Sequence, residues 1–85
     1  MYEIFLPKTK IEKIFYEYIE SRNDIKDKLK RISINPFKES GAHPLKGKLK
    51  GKWSCWLGSN IRMIYKIDVK NKKILVLSIG THKIY

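Results

Sequence analysis

The segment Ile79-Gly80-Thr81-His82-Lys83-Ile84-Tyr85 follows directly on the apolar run Ile74-Leu75-Val76-Leu77. An imidazole, an ammonium and a phenol therefore stand at the exit of what reads as a buried strand. Just upstream, Ile61-Arg62-Met63-Ile64-Tyr65-Lys66-Ile67 sets an arginine inside a second strand. Histidine can accept or give a proton near neutral pH, and a guanidinium can hold two phosphate oxygens in its fork. These groups suit chemistry on a phosphate ester. Nineteen basic residues against 8 acidic ones, a net charge of +11, point to a phosphate carried by a nucleic acid.

Eighty-five residues predict a single domain spanning 1–85. Cys55 is the only cysteine, which excludes a disulfide framework and a thiolate metal cage. One cysteine and two histidines without paired spacing argue against structural zinc, and no metal or cofactor is expected. No apolar run approaches the roughly 20 residues that span a bilayer. With no basic flank and apolar stretch of a signal peptide at the N-terminus, the expected compartment is the reducing cytoplasm.

The positioning elements read as follows. Tyr2–Leu6, stopped by Pro7, predicts a first strand. Thr9-Lys10-Ile11-Glu12 has the capping-box pattern. Ile11, Ile14, Phe15, Tyr18 and Ile19 then recur at helical spacing. A second helix capped by Asn23 or Asp24 carries Ile25, Leu29 and Ile32 inward and ends at Pro36. The short link makes the two helices an antiparallel hairpin. Asn35–His43 reads as a loop. Beyond it, Lys46, Lys48, Lys50 and Lys52 share one parity and Leu45, Leu49 and Trp53 the other, so an extended backbone would put four ammonium groups on one face. Gly47 and Gly51 weaken that strand. Trp53–Leu57, Ile61–Val69 and Ile74–Thr81 complete an antiparallel sheet joined by short turns. The expected class is α+β: a strand, a two-helix hairpin, then three to four antiparallel strands, with helices on one face and the other partly open.

These residues carry a family signature. Leu45-Lys46-Gly47, Ile61-Arg62-Met63-Ile64-Tyr65 and Ile79-Gly80-Thr81-His82, set behind the helix pair, resemble the RelE/ParE toxin superfamily of toxin–antitoxin systems over essentially the whole chain. His43-Pro44-Leu45-Lys46-Gly47 and Gly80-Thr81-His82 look most like the YafQ branch, and Arg62 looks like RelE proper. The resemblance implies the RelE-like microbial ribonuclease fold and a ribosome-dependent endonuclease that cuts messenger RNA in the A site. It also implies a RelB-like antitoxin partner, with the toxin itself monomeric. By position, Arg62 matches a phosphate-binding arginine, His82 a catalytic histidine, His43 an active-site histidine and Tyr85 a C-terminal aromatic. The chain departs from the pattern at Trp56 and Asn60, where the YafQ branch has histidine and aspartate, and at Ser54 and Trp56, where RelE proper has lysines.

Metal-free RNA cleavage needs a base for the 2′-hydroxyl, an acid for the departing 5′ oxygen, and cations where charge grows. His82 is assigned as the acid and Arg62 as the stabiliser of the phosphorane. His43 leads as base, with Glu39 in the same loop behind it. Tyr85 orients or stacks on a base, or shares the acid role. Lys46, Lys48, Lys50, Lys52 and Lys83 form the expected RNA- or ribosome-facing patch, against the plainer reading of a solvated strand face. The mechanism requires a hairpin of even register over Lys70–Lys73, which sets Arg62 opposite or diagonal to His82. A one-residue slip sends them to opposite faces. Two rival functions remain: a ParE-like inhibitor of DNA gyrase, and a non-catalytic basic RNA- or ribosome-binding module.

Overall fold

Thirteen residues of helix α1 (Thr9–Ser21) and twelve of α2 (Asn23–Ile34) are separated by one extended residue, Arg22. The computed structural model describes residues 1–58 and 60–81, the side chain of Glu39 excepted. Each helix buries one stripe: Phe15 in α1, flanked by the half-buried Ile11, Ile14, Tyr18 and Ile19, and Ile25, Leu29 and Ile32 in α2. That is the predicted hairpin, held by apolar contact along helical spacing. Its caps differ from expectation. The backbone amide of Glu12 bonds the Lys8 carbonyl at 3.0 Å, so Lys8 is the cap and Thr9 is already helical. Likewise Arg22 caps α2 without a side-chain cap bond. A one-residue link leaves Asn23 no room outside the helix, and Asp24 pairs instead with Arg22 at 2.6 Å.

Five strands form one mixed sheet in the order β1-β5-β4-β3-β2. They are β1 (Glu3–Phe5), β2 (His43–Pro44), β3 (Trp53–Trp56), β4 (Arg62–Asp68) and β5 (Lys73–Gly80). The predicted antiparallel set is present as β2 to β5. The first strand adds to it in parallel, Ile4 beside Ile74, after the helical hairpin has carried the chain across. Cys55, Met63, Tyr65, Ile74, Val76 and Ile79 turn toward the helices and are buried with their stripes in one core. The opposite face is partly open.

The core also explains two residues of the sequence motif. Tyr65 is fully buried and its hydroxyl donates to the Pro36 carbonyl at 2.8 Å, pinning the end of α2 to the middle of the sheet. Burial pushes the Tyr65 phenol well above its usual range and the Cys55 thiol up to about 12. Cys55 is therefore a small protonated core residue.

The extended lysine row is not formed. Gly47 and Gly51 adopt φ of 67° and 92°, backbone that side chains avoid, and the chain between them coils into a 3-10 turn over Gly47–Leu49. The Lys50 amide bonds the Gly47 carbonyl and the Leu45 amide bonds Lys52, closing a compact loop between β2 and β3. Lys46, Lys48 and Lys50 project from it exposed, and Lys52 is half-buried. They decorate a loop, not one face of a strand.

Candidate active site

The required register is reached by an unexpected route. The β4–β5 loop pairs Asp68 with Lys73, an odd offset that continued alone would set Arg62 opposite Ile79. A β-bulge intervenes: Tyr65 pairs with Val76 but Ile64 pairs with Ser78, so Leu77 is the extra residue. Past it, Arg62 stands opposite Gly80. The bulge keeps Ile79 in the core and turns the Arg62–Gly80 row to the open face, the kind of re-aiming that bulges serve beside functional sites.

Three strands bring side chains together on that face. His43 on β2 lies opposite Ser54 on β3, and Ser54 lies opposite Ile64 on β4. One row further, Trp56 lies opposite Arg62. Directly opposed residues project to the same side at about 5 Å between Cβ atoms. Ser54 is fully buried and its Oγ accepts a hydrogen bond from Arg62 Nη2 at 3.1 Å. The Arg62 guanidinium carbon also sits 4.8 Å from the centre of the Trp56 ring. His43 and Arg62 are thus both neighbours of Ser54, one across the ladder and one through its hydroxyl. His43 is exposed, on a two-residue edge strand open to solvent.

The two tryptophans of β3 face opposite ways. Trp53 packs into the core edge-to-face with Phe37 at 5.6 Å, while Trp56 is 40 % exposed. Lys66, exposed and two strand periods from Arg62 on β4, belongs to the same face. Two residues of this face escaped the functional reading of the sequence, Ser54 and Lys66. The shared parity of Arg62 and Lys66 was the signal for the last. His82, Lys83 and Tyr85 lie outside the described residues, and Glu39 sits in a 3-10 turn over Lys38–Ser40.

Charge is unevenly distributed. Six of the 8 acidic residues fall within the first 27, so the strands and their loops carry most of the cationic excess. At the far side of β3, Asp24 is held below the usual carboxylate range by its hydrogen bond from Arg22, which is raised in turn. That pair lies against Gly58, where a Cβ would come within 2.7 Å of the Arg22 side chain. The arrangement can therefore hold a phosphate at Arg62, with the His43 imidazole on the same face and lysine-rich loops around it.

No protein-family model matches the sequence, and no curated protein matches it significantly. Solved structures do match along the whole chain. A heterotetrameric YoeB–YefM toxin–antitoxin complex from Staphylococcus aureus is 19% identical, with 96% of this chain and 98% of that chain covered and a TM-score of 0.72. YafQ from E. coli strain BL21(DE3) is 22% identical, with 96% and 94% covered and a TM-score of 0.65. The toxin–antitoxin complex RelBE2 from Mycobacterium tuberculosis is 15% identical, with 95% and 98% covered and a TM-score of 0.61. The helix pair, the five-stranded mixed sheet and these likenesses together give the chain the fold of the RelE/ParE toxin superfamily.

Proposed function

We propose that this chain is the toxin of a type II toxin–antitoxin system and a ribosome-dependent, metal-independent messenger RNA endonuclease. The observation that carries the reading is the hydrogen bond from Arg62 to the buried Ser54 hydroxyl, with His43 opposite Ser54 on the next strand, on the open face of a sheet whose connecting loops are rich in lysine. The fold supports it, since solved neighbours include YoeB, YafQ and RelBE2, two of them in complexes with antitoxins.

In this mechanism the scissile phosphate rests on the Arg62 guanidinium, whose orientation is set by Ser54 and Trp56. His43, or Glu39 in its place, takes the proton from the 2′-hydroxyl, and the 2′ oxygen attacks phosphorus. His82 gives a proton to the leaving 5′ oxygen, leaving a 2′,3′-cyclic phosphate and a 5′-hydroxyl. Tyr85 orients the adjoining base. Arg62 acts chiefly in the transition state, where negative charge on the phosphorane exceeds that of the diester. Lys46, Lys48, Lys50, Lys52 and Lys83 attract and hold the RNA–ribosome complex. The partner that restrains the toxin is a RelB-like antitoxin, and the working compartment is the cytoplasm.

Expression of wild type, His82→Ala and Arg62→Ala in cells, with 5′ ends of messenger RNA mapped, tests this reading. In-frame cuts with wild type and none with either variant are expected. DNA breaks instead of RNA cuts would identify a gyrase inhibitor. Growth inhibition undiminished in both variants, without cuts, would identify a binding module.

A further inference from the structure

Trp56 is a large apolar side chain left 40 % exposed on the functional face, while the neighbouring Trp53 of opposite parity packs into the core. We propose that Trp56 is a nucleobase-stacking residue, receiving a base of single-stranded RNA next to the phosphate held by Arg62. This deepens the nuclease reading and rests on it for the phosphate at Arg62.

Four observations converge. The row across the sheet runs Trp56, Arg62, Gly80: an indole, a guanidinium and a residue with no side chain. The Arg62 guanidinium lies 4.8 Å from the indole centre, a cation–π distance. The same guanidinium is anchored on Ser54 Oγ, so its plane is fixed from below by a buried group. Lys66 lies two strand periods from Arg62 on the same face, and Trp56 lines a cavity with Lys28 and Arg31 as well as Asp24 and Asp27, so the charges around the indole are mixed with cations in excess.

Mutual packing of Trp56 and Arg62 restricts both side chains before any ligand arrives, so stacking costs little further rotamer entropy. The guanidinium 4.8 Å from the ring centre adjoins the stacking site, where the backbone of a bound strand would pass. Ring and cation thus read base and phosphate of successive positions, the pairing by which single-stranded RNA is held without a sequence code. Because every base has a π-face, the expected selectivity is a mild preference for the larger purine ring. An exposed tryptophan beside arginine can equally anchor a protein, but the guanidinium against the ring and a net charge of +11 favour a polyanion here.

The test measures binding alone, with a hexanucleotide carrying 2′-O-methyl groups that cannot be cut. A Trp53→Phe background makes Trp56 the sole tryptophan fluorophore. Saturable quenching of its emission is expected. Trp56→Leu, read by polarisation of a labelled hexanucleotide, should weaken affinity about 5- to 100-fold, and Trp56→Phe should restore most of it. The salt dependence should not change, since no phosphate contact is lost. Unquenched emission, wild-type affinity in Trp56→Leu, equal weakening in Leu and Phe, or a salt slope lowered as in Arg62→Ala would each overturn the proposal. The first two would leave the indole to a protein partner. Failure of the nuclease reading shows instead as missing cleavage with this binding intact.

Discussion

Arg62 on β4 stands directly opposite Gly80 on β5, although the loop joining the two strands has the wrong parity to place it there. The bulge at Leu77 supplies the missing residue, and His82 follows Gly80 by two positions in the chain. Arg62 is therefore the fixed point of the proposed chemistry. Arg62→Ala should lower single-turnover cleavage by about 100- to 1,000-fold. Arg62→Lys should recover only part of this, because an ammonium keeps the charge and loses the fork that meets Ser54 and phosphate together. Cleavage rates on programmed ribosomes check both.

Tyr65 invites a catalytic reading from its place in the motif, and the structure gives it a different role. Its hydroxyl satisfies the buried Pro36 carbonyl from 29 residues away. Tyr65→Phe leaves that carbonyl without its partner and should cost about 1–3 kcal/mol of stability. Cleavage per folded molecule should stay unchanged. Urea unfolding midpoints, set beside cleavage rates, separate the two effects.

The buried Cys55 makes the fold sensitive to alkali. In the unfolded chain its thiol ionises near the ordinary 9.0, whereas the folded thiol keeps its proton to about 12. The unfolded state binds fewer protons in that window, so stability falls as pH rises above about 9. Tyr65, also raised by burial, adds to the decline in the same direction. Asp24 and Asp68 act at the other end: their lowered folded values give stability present above 3.8 and lost as pH falls further. Thermal midpoints across the alkaline range should drop, and Cys55→Ala should flatten that slope.

The lysine loop should contribute as separate charges. Lys46, Lys48 and Lys50 project from the turn around Gly47–Leu49 and are each exposed. Replacing any one that meets a phosphate should reduce the salt dependence of RNA binding by about 0.7 log units per log salt. Lys52, half-buried and tied through its backbone to Leu45 and Leu49, should matter less. Titrations of single-stranded RNA at several salt concentrations check the order.

Much of this architecture is legible in the sequence because apolar periodicity reports burial directly. The stripes Ile11–Ile19 and Ile25–Ile32 and the opposed parities of Trp53 and Trp56 all follow from it. Backbone exceptions are harder to see. The parity of four lysines suggested a strand face, but two glycines at positive φ turn that stretch into a loop. Periodicity did not reveal the bulge either, since Ile74, Val76 and Ile79 look like an ordinary apolar run until their partners are known. Thr9 carried a capping signature, and the helix began one residue early. At the proposed site, Arg62 was singled out by residue type and His43 through the family resemblance, while Ser54 emerged only once its hydroxyl was seen to meet the guanidinium.

The central claim is attack by a ribose hydroxyl on a phosphate held by Arg62, and the substrate tests it most directly. A messenger bound to ribosomes, with one 2′-deoxy nucleotide on the 5′ side of the mapped cut, is compared with its all-ribose counterpart. Cleavage of the ribose message to a 2′,3′-cyclic phosphate and a 5′-hydroxyl, with none at the deoxy site, is the predicted result. Equal cleavage of both messages, or products bearing a 5′-phosphate, would contradict it.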